Sequence, residues 1–252
     1  MSKQTNKPPV LVLTVELPAL LTRARGRAAF DNVASVIRRV RSHQVAATWG
    51  VAFGTSLAQV ADALHINAAG GNELAWSAEA VWAGPNVSRG RFAVALAERL
   101  SAALDAGIAM PTLITGRHGL PAHLDVATKY GVRAVVREGT RQRSAGQPQA
   151  LRFGIWSVDI TSSLSSAGSW WTNAARQAER EINRAIRTAS VCHLHADLSR
   201  PETVAVLDRV LAHVQRCRMQ GGLHVETVGQ LAARLSRPRV AARPARSILR
   251  AA

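Results

Sequence analysis

Apolar positions recur in two rhythms that alternate along the chain. Val10-Leu-Val-Leu-Thr-Val15 is an unbroken apolar run of strand length, of the kind buried on both faces, and it stops at Glu16 and Pro18. Phe30, Val33, Ile37 and Val40 then follow the helical period behind Asp31 as cap, with Arg38, Arg39 and Arg41 left for solvent. The spacing predicts a second strand over 45–53 and a short helix behind Ser56 with Leu57, Val60, Ala61 and Leu64 inward. After the Gly70-Gly71 turn comes a third strand, Asn72 to Trp76, and an irregular loop to Gly90. A helix over 91–106 places Phe92, Leu96, Leu100 and Leu104 on one face and ends at Gly107. Short strands follow at 111–115 and 132–136, with a Pro121-initiated helix between them that Gly131 stops.

Residues 137–152 read as a long polar loop bearing Arg137, Arg141 and Arg143. Beyond it the pattern predicts a strand over 153–159, a helix over 170–187, a strand over 191–195 and a helix over 201–219. A strand near 223–225 and a helix over 228–235 complete the series. Seven or eight strands alternating with helices describe a mostly parallel sheet, closed into a barrel or nearly so. Neither composition nor length disturbs that picture: 252 residues, 47% of them hydrophobic, suit one domain of barrel size. Residues 1–9 are expected to be a disordered leader, 10–235 the barrel, and 236–252 a basic disordered tail.

Charge adds a question. The net charge is +16 and arginine carries nearly all of it, since Lys3, Lys7 and Lys129 are the only lysines. The basicity is spread rather than gathered into a motif, which is also what an Arg- and Ala-rich composition produces by itself. A nucleic-acid or acidic-polymer partner, held by the 137–152 loop and the tail, stands as one hypothesis. Two cysteines, Cys192 and Cys217, do not form a disulfide framework. With no export-type leader and no apolar run long enough to cross a bilayer, a cytoplasmic location and no membrane partner are expected.

Candidate chemistry concentrates in Val191-Cys-His-Leu-His-Ala-Asp197. Period-two spacing sets His193 and His195 on one face, at the end of a strand that in α/β folds looks into the ligand crevice. His193, His195 and Asp197 could chelate a metal if His118, His123 or Glu16 supplied a further donor. The bland alternatives are a hydrogen-bonded structural imidazole for His195 and an arginine-paired carboxylate for Glu16. Trp76, Trp82, Trp156, Trp170 and Trp171 could form a stacking surface for a sugar ring, although burial explains most tryptophans. Arg117, Arg137, Arg141 and Arg143 could hold a phosphate or carboxylate.

Taken in order, six segments are similar to the polysaccharide deacetylase family, the chitooligosaccharide-deacetylase-like hydrolases. They are Leu11-Val-Leu-Thr-Val-Glu16, Val45-Ala-Ala-Thr-Trp-Gly-Val51, Gly71-Asn-Glu-Leu-Ala-Trp-Ser77, Ile155-Trp-Ser-Val-Asp159, Cys192-His-Leu-His195 and Gly222-Leu-His-Val-Glu-Thr-Val228. The resemblance implies a single-domain, distorted (β/α)7-8 barrel and zinc-assisted removal of an N-acetyl group from a sugar. That chemistry uses an aspartate and two histidines on zinc, a second aspartate as base and a histidine as acid.

This chain departs from the pattern where the chemistry resides. Glu16 is the only acid where the family has paired aspartates, and the zinc histidines would fall at Ser77 and Val81. The arginine of the R-x-P-x-G segment falls at Thr115, with Arg117 near enough to substitute. The resemblance therefore implies a divergent member with no zinc-binding set: a noncatalytic, carbohydrate-related or regulatory protein. Glu16, Asp159 and His195 remain as catalytic remnants, and Trp76, Arg117 and Trp156 as substrate-binding candidates. The alternative is an active amide hydrolase whose centre has been rebuilt from those three remnants, the one case in which zinc would be a cofactor.

Overall fold

The computed structural model describes residues 8–18, 26–66, 71–119, 121–138, 147–165, 171–200 and 202–237, without the side chains of 26–32 and 171–173. The first half runs β1 (Val10–Glu16), α1 (Gly26–Ser42), β2 (Thr48–Val51), α2 (Leu57–Leu64), β3 (Glu73–Ser77), α3 (Ala80–Ala83) and α4 (Arg89–Asp105). It continues through β4 (Thr112–Gly116), α5 (Leu124–Lys129), β5 (Ala134–Glu138), β6 (Gln149–Ala150), β7 (Trp156–Ile160) and β8 (Ser162–Ser163). Then come α6 (Trp171–Thr188), β9 (Val191–Asp197), α7 (Glu202–Met219), β10 (His224–Glu226) and α8 (Val228–Ser236).

The strands form one sheet in the order β6-β7-β5-β4-β3-β2-β1-β9-β8, with β10 also on β1. All its pairings are parallel except β6 against β7. The order brings β7 round to β9, where no ladder forms between the two. Thr161 bridges this seam: its amide donates to the His193 carbonyl (2.8 Å) and its hydroxyl accepts from the His193 amide (3.1 Å). The same extended segment then pairs with β9 as β8. The result is a single-domain, distorted seven-stranded (β/α) barrel, as the strand and helix rhythm predicts.

Alternation divides each strand between two cores. Leu11, Leu13, Trp49, Leu74, Leu113 and Leu194 face outward and are covered by the helices. Val10, Val12, Ala75, Ile114, Val136 and Val158 face the lumen, where Val228 and Leu231 of α8 join them. Helix α8 thereby plugs the end of the barrel at which the strands begin. Its first turn is fixed by a capping box between Thr227 and Gln230 and by the Glu73 carboxylate, which accepts from the Gly229 amide at 2.7 Å. Burial pushes the Glu73 carboxyl above the usual carboxylate range, and the Thr112 and Gly229 hydrogen bonds oppose that rise. With one end plugged, the lumen opens at the end bearing the strands' carboxyl termini.

Several boundaries differ from expectation: β2 is shorter than 45–53, and the strand expected over 153–159 begins at Trp156, after a 3-10 turn at Arg152–Gly154. The stretch after β3 contains the short helix α3 rather than only loop, because Ala80-Val-Trp-Ala83 closes one turn behind Glu79. The polar loop is shorter than 137–152: Arg137 and Glu138 continue β5, and Gln149–Ala150 pairs with β7. Residues 139–146, the leader over 1–7 and the tail over 238–252 lie outside the described residues. Among the described residues, no helix is long and apolar enough to cross a membrane.

Candidate binding site at the barrel mouth

Two histidines of β9 reach diagonally across to β1, each one pleat beyond its register partner. His193 lies opposite Val12 but its Nε2 meets the Thr14 hydroxyl at 2.8 Å. His195 lies opposite Thr14, and its Nε2 meets Glu16 Oε2 at 2.8 Å. The second oxygen of Glu16 accepts from the Ser77 hydroxyl at 3.0 Å. Ser77, Glu16 and His195 thus form one hydrogen-bonded series across β3, β1 and β9, at the upper rim of the lumen.

Around this series opens a cleft of about 530 Å³, lined also by Arg117, His118, Glu138, Ser163, Asp197 and Arg200. Arg117 projects from the end of β4 and holds Glu138 through its Nε at 3.0 and 3.1 Å. Arg200 donates to the Ser165 carbonyl at 2.8 Å, and Asp197 accepts from the Ser199 amide at 2.9 Å. The cleft is therefore walled by hydroxyls, carboxylates and guanidinium groups of both signs. Ile114 and Ile160 add apolar surface to the same wall.

Of the six candidates, Glu16, His195 and Arg117 come together here; the other three do not. Asp159 sits on β7 between Val158 and Ile160, both of which face the lumen, so alternation turns its carboxylate to the other side. There Arg137, its register partner on β5, binds it at 2.6 and 3.2 Å, and Ser157 donates at 3.0 Å. Trp76 is likewise turned outward, 1% exposed under the helices, with no free ring face. Trp156 is at the plugged end, where its Nε1 donates to Ser236 of α8 at 2.9 Å. Asp159 is corrected to a structural ion pair, and Trp76 and Trp156 to packing residues. Trp82 is buried against Phe92, while Trp170 and the Trp171 side chain lie outside the described residues.

The three-donor chelate read from β9 does not form. His193 is fully buried two residues below the rim, and burial, aided by the neighbouring His195, pushes its ring down to about 3. Its Nδ1 makes no hydrogen bond, although the nearby backbone of Val158 and Asp159 slightly favours the charged ring. His123 is spent elsewhere, with Nε2 on the Val87 carbonyl at 3.0 Å.

Zinc of the kind the resemblance implies needs three or four protein donors. Glu16 and His195 are engaged with each other, position 77 offers a hydroxyl that donates to Glu16, and Val81 is 62% exposed on α3 beside Trp82 and Val94. Among the described residues, no group of three or more His, Cys, Asp or Glu could hold a metal ion. The residues present do not fit zinc.

Sequence reasoning missed Ser77 as a partner and Gly50 as the residue that makes room for it. A Cβ at Gly50 would stand 2.7 Å from Ile114 Cδ1, 2.9 Å from Ser77 Oγ and 3.0 Å from Glu16 Cγ. The available signal was a glycine inside a strand, which marks close approach. Gly50→Ala is expected to cost about 1–3 kcal/mol of stability through overpacking. It should also separate Ser77 from Glu16, which a thermal melt paired with ligand titration would detect; an unchanged melt would show that the rim has slack.

No family model matches the sequence, and no curated protein matches it either. Solved structures do share the fold. A protein assigned as a polysaccharide deacetylase from Mycobacterium smegmatis aligns with TM-score 0.66 at 15% identity, over 93% of this chain and 92% of that one. The Puue allantoinase aligns with TM-score 0.66 at 9% identity, over 90% of each chain. A mutant of a CE4 family pseudoenzyme with restored enzymatic activity aligns with TM-score 0.55 at 11% identity, over 90% of this chain and 68% of that one. At these identities the likeness is one of fold: the barrel is of the polysaccharide deacetylase type.

Proposed function

We propose that this chain is a carbohydrate-related, deacetylase-like barrel protein that binds a polar ligand at its mouth without holding a catalytic metal. One observation carries the reading: the series Ser77, Glu16, His195 uses on itself the groups that metal chemistry would require. A cleft of hydroxyls, carboxylates and guanidinium groups suits a polyhydroxylated ligand, whose hydroxyls both donate and accept. The deacetylases and the CE4 pseudoenzyme among proteins of this fold support a sugar as the ligand class. Glu16, Glu138, Asp197, Arg117 and Arg200 would make the polar contacts.

Metal analysis of the purified protein, combined with titration by chitooligosaccharides, tests this. The expected result is substoichiometric zinc that His195→Ala leaves unchanged, and saturable binding that Arg117→Ala weakens. Stoichiometric zinc lost on His195→Ala would overturn it.

A second reading, metal-free amide hydrolysis, is favoured by the anchoring of His195. Glu16 holds Nε2, and among the described residues Nδ1 has no hydrogen-bond partner in a side chain that lines the cleft. Such a ring can accept a proton from water. Turnover of an N-acetylated sugar that survives chelator and disappears in His195→Gln would decide for this reading.

A further inference from the structure

Helix α6 carries arginines at positions 176, 180, 184 and 187, and all four are exposed. Helical geometry sets them in one stripe opposite the buried stripe of Ala175, Ala178, Ile182 and Ala185. Residues four apart are spaced about 6 Å along the axis. The acids of the helix flank this stripe instead of interrupting it, and each is already engaged. Glu179 accepts from Arg209 of α7 at 2.9 Å, and Glu181 is ion-paired with Arg184 at 2.6 Å, without full hydrogen-bond geometry.

Helix α7 runs alongside in matched register. Arg209 meets Glu179 and His213 meets Asn183 (3.1 Å), a step of four on each helix, and Arg216, three residues on from His213, lies on the same side of α7, the side that faces α6. Arg216 is also exposed. Among the described residues, Arg176, Arg180, Arg187 and Arg216 have no carboxylate within ion-pair distance.

We propose that this α6–α7 face docks the phosphate backbone of double-stranded nucleic acid without reading its sequence. Guanidinium groups match phosphate in a bidentate way that ammonium groups do not. A row of them at regular spacing suits a stiff, regular polyanion such as a duplex. The face is on the barrel flank, apart from the mouth, so the inference is independent of the ligand proposed there.

The test is binding of a short mixed-sequence DNA duplex to the full chain over a series of salt concentrations. Wild type should bind with a steep linear dependence of log affinity on log salt. Replacing Arg176, Arg180, Arg187 and Arg216 together by glutamine should reduce that slope by about three to four units and weaken binding at least about tenfold. The corresponding four-lysine variant retains charge and should keep the slope, which separates charge loss from misfolding. A variant with Arg239, Arg243, Arg246 and Arg250 changed to glutamine should still bind. The proposal is overturned if the glutamine variant of α6–α7 binds like wild type or if the tail variant alone abolishes binding. Retention on heparin without duplex binding would assign the face to an acidic polysaccharide and overturn it equally.

Discussion

Trp76→Ala is expected to destabilise the protein by about 3–5 kcal/mol while leaving ligand affinity of the folded fraction unchanged. The indole is 1% exposed on the outer face of β3, with its ring centroid 6.4 Å from that of Phe53. Its Nε1 has no hydrogen-bond partner, so the loss is one of packing and of the cavity left behind. Alanine keeps the strand register and cannot refill a space of that size. Denaturant unfolding gives the stability change, and titration of the refolded variant gives the affinity. A variant of native stability that no longer binds sugar would mean that the ring faces the ligand, contrary to this packing.

Acid should unfold the protein through His193. Its ring is held at about 3 in the folded state, against an ordinary value of 6.5, because burial disfavours the charged form and His195 adds to that penalty. In the unfolded chain the ring takes a proton near its ordinary value, whereas the folded chain takes it only much lower. A depressed imidazole of this kind contributes stability that is present above about pH 6.5 and is lost progressively as pH falls toward about 3. One proton corresponds to a slope of about 1.4 kcal/mol per pH unit across that window. His193→Gln keeps a group that can meet Thr14 and removes the titration, so its stability should start lower at neutral pH and fall less steeply. Parallel slopes for the two proteins between pH 6 and pH 4, roughly the middle of the window, would assign acid sensitivity to other groups.

The barrel was legible because its strands are bounded by polar residues and punctuated by helices of the right period. Which side of each strand faces the lumen was legible only in part. Val10 to Leu13 is apolar at every position, and only Thr14 and Glu16, with one residue between them at the strand's end, hint at its parity. In β3 the parity is visible: Glu73 and Ser77 share one face, and Trp76, adjacent to Ser77, must take the other. A serine at the position expected for a zinc ligand and a tryptophan platform beside it were therefore incompatible expectations. The same reasoning separates Asp159 from the lumen once Val158 is placed there. Glu16 and His195 come from opposite ends of the sequence, and only the adjacency of β1 and β9 brings them to 2.8 Å. Arg200, Glu138 and Ser165 gave no signal, since each lines the cleft from a connection or strand end whose position depends on the whole sheet.

The floor of the lumen is stitched from distant parts of the chain: Val10 to Val12 pair with His224 to Glu226, and Val228 and Leu231 rest on the same strand. Closing so large a loop is entropically slow, and contacts of this range delay folding. During synthesis the first strand can pair early with β2, but its lumen face stays uncovered until β10 and α8 have emerged. The nascent barrel is in consequence a vessel without a base for most of its production, and that interval is when its exposed lumen is most open to aggregation.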